Sequence, residues 1–216
     1  MSSQAITFFQ VRSKTSFMFH ESRHLVLLVL AAIAISTPAL IWGVPLNRNL
    51  YNHYRFALPF YDAIRAGNWY PGWLAESNGG YGDPSFRFYP PGVYYLITGL
   101  RSLLGSWYAG SVAAFIMLFL TAALGVYFWA RHFVSAQQAL VAGIVYTLAP
   151  YHLVQLYQAF LLAEFAGAAV IPFCFAFTER ICRNRKPLDI AGLSLSYAAL
   201  IYTHLPLAVI GSITLL

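Results

Sequence analysis

Apolar runs of about twenty residues recur along this chain, and a helix of that length is what crosses the hydrocarbon core of a bilayer. The first runs from Leu25 to Val44. It exceeds the core of about 7–15 residues found in secretory signals, so it reads as a retained span. Further runs follow at Tyr108–Ala130, Ala139–Leu156, Phe160–Ile181 and Ile190–Thr203, and the chain stays apolar past Pro206 to Leu216. Only 9% of residues are charged and 59% are apolar, whereas a soluble domain carries roughly a quarter charged. Most of the surface must therefore face lipid. The expected fold is all-α, a polytopic membrane protein with five spans and the start of a sixth.

The formal charge of +6 does not point to nucleic acid. The basic residues stand at the ends of apolar runs, where membrane topology puts them. They also decide whether the segment Pro91–Gly105 crosses. As a helix it reaches only about 21 Å, and it carries Arg101. If it crossed, with a cytoplasmic N-terminus, only Arg12, Lys14, Arg23 and Arg101 of the 13 basic residues would lie inside. If it lies along the interface, Arg12, Lys14, Arg23, Arg131, Arg180, Arg183, Arg185 and Lys186 lie inside, leaving five of the 13 outside. The second arrangement satisfies the positive-inside rule. Residues 1–24 are then a cytoplasmic N-terminus, 25–44 the first span, 45–107 one extracytoplasmic loop and 108–216 a span bundle. The cluster "ERICRNRKP" is a topology determinant beside anionic lipid. Cys174 and Cys182 have no metal-type spacing to a histidine and read as free thiols.

Within the outer loop, Tyr51, Tyr54, Leu58, Tyr61 and Ile64 keep a three-and-four spacing, the mark of an amphipathic helix lying in the interface. Asn47 or Asn49 would cap its start, Pro59 should break or kink it, and Gly67 would end it. The following stretch, "NWYPGWLAESNGGYGDPSFRFYPP", combines turn-forming glycines with Trp69, Tyr70, Trp73, Tyr81, Phe86, Phe88 and Tyr89. Such aromatics form an interfacial belt, or a platform for a sugar or a lipid-linked headgroup. Asn49, His53, Arg55, Asp62, Asp83 and Arg87, interleaved with them, exceed what anchoring needs. Together they make a carboxylate, imidazole and guanidinium set suited to phosphate chemistry.

Glu164, in "YQAFLLAEFAGAA", stands near the outer end of an apolar run, where a carboxylate is costly and needs a cavity or a partner. His152 in "LAPYHLVQLYQ" and His204 in "YTHLP" fall at the same level. With the chosen topology these three residues share one face with Asn49 and His53.

The combination of a first span, "NLYNHYRFALPFYDAIRAGNWYPGW", "GGYGDPSFRFYPPGVYYL", "APYHLVQLYQAFLLAEFAGAAVIP" and "THLP" resembles a group of bacterial multi-span proteins labelled as related to 6-pyruvoyl-tetrahydropterin synthase. That group is similar in architecture to the GT-C glycosyltransferases, which use polyprenyl-phosphate-linked sugars. The resemblance covers about Trp42 to Pro206. It implies an N-terminal part of a membrane enzyme of the bacterial cytoplasmic membrane. Its partners would be membrane lipid and a polyprenyl-phosphate-linked sugar. Relatives of this kind continue for more spans, so a truncated chain is expected. The resemblance places an Asp four residues before His53, where this chain has Asn49. A neutral amide is no base and a weaker cation ligand than a carboxylate.

The expected catalytic set is Glu164, Asp83, Asp62 and His53. The expected substrate-binding set is Asn49, Arg55, Arg87, Tyr81, Tyr89, His152 and His204. Glu164 or Asp83 would take the acceptor's proton or hold a divalent cation, and Arg55 or Arg87 would face the departing phosphate. No cofactor or metal ligand set can be read beyond that. The competing reading is a non-catalytic binder of lipid-linked glycan, or a transporter fragment. A transporter predicts an inverted repeat, and none is legible.

Overall fold

The structure is a computed structural model that describes the backbone of residues 3–215 and the side chains of residues 22–215. The side chains of Arg12 and Lys14, and most of the N-terminal segment expected over 1–24, lie outside the described residues. Helices make up the fold, and no strand occurs among the described residues. Among the described residues, four helical stretches are long and apolar enough to cross a membrane: Ser22–Trp42, Trp107–Ala130, Ala136–Gln158 and Leu162–Asn184.

The first of these is the later part of α1 (Ser3–Trp42). Leu28, Ala32, Ser36 and Ala39 are buried along one stripe. The spacing of four, four and three residues puts them on a single helix face. They pack on α4 (Trp107–Ala130) and α5 (Ala136–Leu148). The other faces expose Val26, Leu30, Ile33 and Ile41, as a lipid-facing helix does. Between α1 and α4 lies a cap. Its first helix, α2 (Arg48–Arg65), is capped by Asn47, whose Oδ1 accepts from the Leu50 amide at 2.8 Å. Asn47 takes the role, not Asn49. Pro59 removes one amide from the helix but does not end it. Gly67, at φ 90° beyond the Ala66 cap, does.

An irregular stretch leads from α2 to α3 (Gly92–Leu104). Its centre is a bracket in which Leu74 and Asp83 exchange amide–carbonyl bonds of 3.0 and 3.1 Å. The 13 residues of α3 reach about 20 Å, too short to cross. It packs on α4 instead. Arg101 stacks over Tyr61 and Trp107 at 5.1 and 5.8 Å, and the hydroxyls of Tyr54 and Ser111 are hydrogen-bonded.

After α5, Pro150 opens the short helix α6 (Pro150–Leu153), which widens into a π turn over Val154–Gln158. Only residues 159–161 separate the π turn from the next helix, with Phe160 fully buried at φ 51°. α7 (Leu162–Asn184), α8 (Pro187–Thr203) and α9 (Leu205–Leu215) follow. The expected span over Ile190–Thr203 falls on α8, a helix of 17 residues.

Cap and bundle share one core. Phe60–Phe86, Phe86–Tyr94 and Phe119–Phe165 ring contacts of 4.8 to 4.9 Å run from the cap into the bundle, bridged by Phe160 against His53 and Phe115. At the opposite end, Arg180 and Arg183 lie over Phe128 and Phe133. The basic end of α7 therefore stands beside the end of α4, away from the cap.

Candidate functional site

The expected site residues divide into three places. The first is an open cleft of about 310 Å³ lined by Arg55, Phe56, Leu58, Pro59, Asp62, Glu76, Ser77, Asn78 and Asp83. One face is the α2 turn carrying Arg55 and Asp62; the other is the bracket. Arg55 Nη2 donates to Asn78 Oδ1 at 2.6 Å, so this guanidinium is partly committed to holding the cleft's shape. Asp83 Oδ1 accepts from the Ser85 amide at 2.8 Å and fixes the turn that leads to Arg87. Three carboxylates, of Asp62, Glu76 and Asp83, face one arginine here. The balance favours hydroxyl or cationic groups over phosphate.

Across the bracket is a second, wider groove of about 590 Å³, lined by Asn68, Tyr70, Gly72, Trp73 and Arg87. The two are separated by Gly82, at φ 79°, whose backbone lies against the Trp73 ring; a Cβ there would come within 2.1 Å of it. Arg87 is exposed, and its guanidinium has no hydrogen-bond or ion-pair partner among the described residues. Trp69, Tyr70 and Phe88 beside it are more than half exposed. A free guanidinium among exposed aromatic rings suits an anionic group at headgroup depth.

His53 points away from both. Its Nδ1 lies 2.8 Å from the Tyr94 hydroxyl, with Phe160 against its ring. Burial pushes its pKa down to about 4, with a backbone bond at Phe160 acting weakly the other way. It is a neutral, enclosed side chain. Asn49 is likewise structural: its Nδ2 donates to the Ala159 carbonyl at 2.7 Å, while Asn47 Nδ2 donates to Gln158 at 3.0 Å. The pair ties the cap to the π turn. This explains the amide at position 49, because a carboxylate has no proton to offer a carbonyl.

The third place is the head of α7. Glu164 Oε1 accepts from the Tyr151 hydroxyl at 2.7 Å. Its charge also reaches His204, whose Cβ crowds Gly167 one turn along; a Cβ on Gly167 would sit 2.8 Å away. His204 Nδ1 accepts from the Leu207 amide at 3.2 Å, capping α9. His152 is 1% exposed and packs its ring against Tyr146 and Phe165. Tyr89 touches the Tyr94 ring at 6.1 Å, and Tyr81 is 88% exposed at the rim.

Glu76, Asn78, Tyr94, Tyr151 and Gln155 join these sites without having been singled out in the sequence. Glu76 and Asn78 had a signal, as polar loop residues flanking Asp83. Gln155 had one too, lying three residues after His152 in an apolar run. No group of three His, Cys, Asp or Glu side chains stands close enough to hold a metal ion among the described residues.

The fold defines a polytopic helical membrane protein carrying a structured cap between its first two membrane-crossing helices. Residues 86–216 match the 6-pyruvoyl-tetrahydropterin synthase related domain, described as a membrane protein, and the chain belongs to that family. Comparisons with curated proteins and with solved structures gave no match.

Proposed function

We propose that this chain is part of a GT-C-like membrane glycosyltransferase that moves a sugar from a polyprenyl-phosphate carrier at the outer face of a bacterial cytoplasmic membrane. The observation that carries the reading is the pairing of two unlike recesses on one cap, a carboxylate-lined cleft beside a groove with a free arginine among aromatic rings. A phosphate-linked sugar and a hydroxyl acceptor need just such a division of charge.

In the proposed reaction the acceptor oxygen attacks the anomeric carbon and the bond from that carbon to the phosphate oxygen breaks. The sugar inverts, and the phosphate leaves on its lipid. A carboxylate takes the acceptor's proton, and a cation faces the departing phosphate. Arg87 suits the second role better than Arg55, which is bound to Asn78 and outnumbered by carboxylates. Asp62, Asp83 and Glu164 remain candidates for the first.

The cap faces outward and the N-terminus lies in the cytoplasm in this reading. The gathering of Arg180 and Arg183 at the end of the bundle away from the cap supports it. α8 is the fifth crossing. It starts at that basic end, with Asp189 on Arg180, and finishes at the cap, with Tyr202 stacked on Tyr95. Its 17 residues reach about 25 Å.

The test is transfer of labelled sugar from polyprenyl-phosphate glucose in membranes containing the wild type, Asp83→Asn, Glu164→Gln or Arg87→Ala. Transfer that needs Arg87 and at least one of the carboxylates supports the reading. The structural duty of Asn49 favours a second reading, a glycan binder without chemistry, and lipid-sugar binding with no transfer would establish it.

A further inference from the structure

Two polar side chains, His152 on α6 and Gln155 on the π turn that follows it, have no hydrogen-bond partner. His152 and Gln155 are 1% and 2% exposed, and both imidazole nitrogens and both atoms of the amide head are buried without a hydrogen-bond partner. Buried polar groups in a folded chain are paired almost without exception, and here two neighbours, one turn apart, fail together. The backbone that presents them is unusual as well. The Ala159 amide bonds five residues back to Val154 and the Leu161 amide bonds to Gln155, at 2.8 and 2.7 Å. Phe160 then takes a left-handed conformation that a buried aromatic residue seldom adopts. π turns and such outliers concentrate at functional sites.

We infer that the junction of α6 with this turn is a carbohydrate-reading site, in which the His152 imidazole and the Gln155 amide hydrogen-bond neighbouring hydroxyls of the sugar carried by the lipid. This rests on the glycosyltransferase reading. A neutral imidazole offers one donor and one acceptor, and an amide offers both kinds. That complement matches a pair of adjacent hydroxyls, each of which donates and accepts. The walls fit the same ligand. Tyr146 and Phe165 put aromatic rings 4.5 and 6.1 Å from the His152 ring, so a sugar that reaches His152 meets aromatic neighbours.

Tyr151 is the door. It is 47% exposed, its ring lies 5.5 Å from that of His152, and it stands beside Gln155 without the geometry of a hydrogen bond. Its hydroxyl is held instead by Glu164. Rotation of Tyr151 away from Glu164 opens the pair and frees the Glu164 carboxylate in the same movement.

The experiment measures binding of polyprenyl phosphate, polyprenyl-phosphate glucose and polyprenyl-phosphate mannose to the purified protein in lipid nanodiscs. The variants are His152→Phe, Gln155→Met and the double substitution, with thermal unfolding recorded for each. Both changes replace buried unpartnered polar atoms by apolar ones at the cost of a somewhat larger side chain, so the unfolding record separates a packing loss from a lost sugar contact. The expected result is a wild-type preference for a sugar-bearing lipid that falls about tenfold to a hundredfold in the variants, while affinity for the bare phosphate is unchanged. A wild-type preference that the variants keep in full overturns this inference and leaves the glycosyltransferase reading standing; the orphaned atoms then hold only water. A wild type that binds all three lipids alike overturns both. If the double variant unfolds, the single Gln155→Met substitution decides between the same outcomes.

Discussion

Asn49→Asp replaces an amide by a carboxylate of the same shape, and it restores the acid that the resemblance leads one to expect before His53. The structure says the exchange is destabilising. Asn49 Nδ2 gives its proton to the Ala159 carbonyl at 2.7 Å in a half-buried setting. A carboxylate cannot donate, so that hydrogen bond is lost, worth about 0.5–1.5 kcal/mol, and the carbonyl oxygen now faces a negative charge. Leaving a partly buried acceptor unpaired adds about 1–2 kcal/mol, for a total of roughly 2–3 kcal/mol. In a chain of this size that lowers the unfolding temperature by about 4–10 °C. The pH dependence has a definite sign. The Ala159 carbonyl favours the protonated acid, which can donate, so the introduced carboxyl would have a folded pKa above its unfolded value of about 3.9. Its stabilising bond is present at low pH and lost as pH rises through the folded pKa. The deficit against wild type should therefore be full at about pH 8 and shrink toward about pH 4. Thermal unfolding of both proteins in detergent at the two pH values measures it. A variant as stable as wild type at the higher pH, or a deficit that ignores pH, would refute the brace between cap and π turn.

Three further outcomes follow from named contacts. His53 is held near pKa 4 by burial, so its neutral form contributes stability that is complete above about pH 6.5 and lost as pH falls toward about 4, on the order of 3 kcal/mol. His53→Phe should flatten the wild-type loss of stability over that window, as followed by unfolding against pH. Asp189 is fully buried with Arg180 at 2.5 Å while Arg180 keeps some exposure; Arg180→Met strands a buried carboxylate and should cost about 3–5 kcal/mol, well above the cost of Asp189→Asn in the same denaturation assay. Glu164→Gln keeps an oxygen for the Tyr151 hydroxyl, so unfolding should not change. Sugar transfer should fall about 100-fold or more if Glu164 takes the acceptor's proton, and unaltered transfer removes it from that role.

The helical, membrane-spanning character was legible because twenty-residue apolar runs admit few other folds, and α4, the stretch through α6 and α7 fall where those runs lie. Pro91–Gly105 falls on α3, a helix as short as its apolar run. The spacing of Tyr51 to Ile64 forecast α2, but not that it would run through Pro59, where the flanking turns and the packing of Phe60 hold the helix together. The site was legible by residue type and not by direction. Arg55, Asp62 and Asp83 do share a cleft, yet Arg87, only four residues past Asp83, serves another groove because the turn at Ser85 reverses the chain. His53 and Asn49 look like chemistry in the sequence, and both turn inward. Their partners, Tyr94 and the Ala159 carbonyl, lie 41 and 110 residues away. Nothing in a local pattern encodes contacts of that range.

The most direct test of the proposed activity is a transfer assay with the protein purified from its own membranes and reconstituted in liposomes with polyprenyl-phosphate glucose labelled in the sugar. The glycosyltransferase reading predicts that label leaves the carrier, that bare polyprenyl phosphate accumulates in equal amount, and that Arg87→Ala slows both together. Label that stays on its carrier with the wild type, while the carrier binds the protein tightly, would contradict the enzymatic claim and make the cap a reader of lipid-linked sugar.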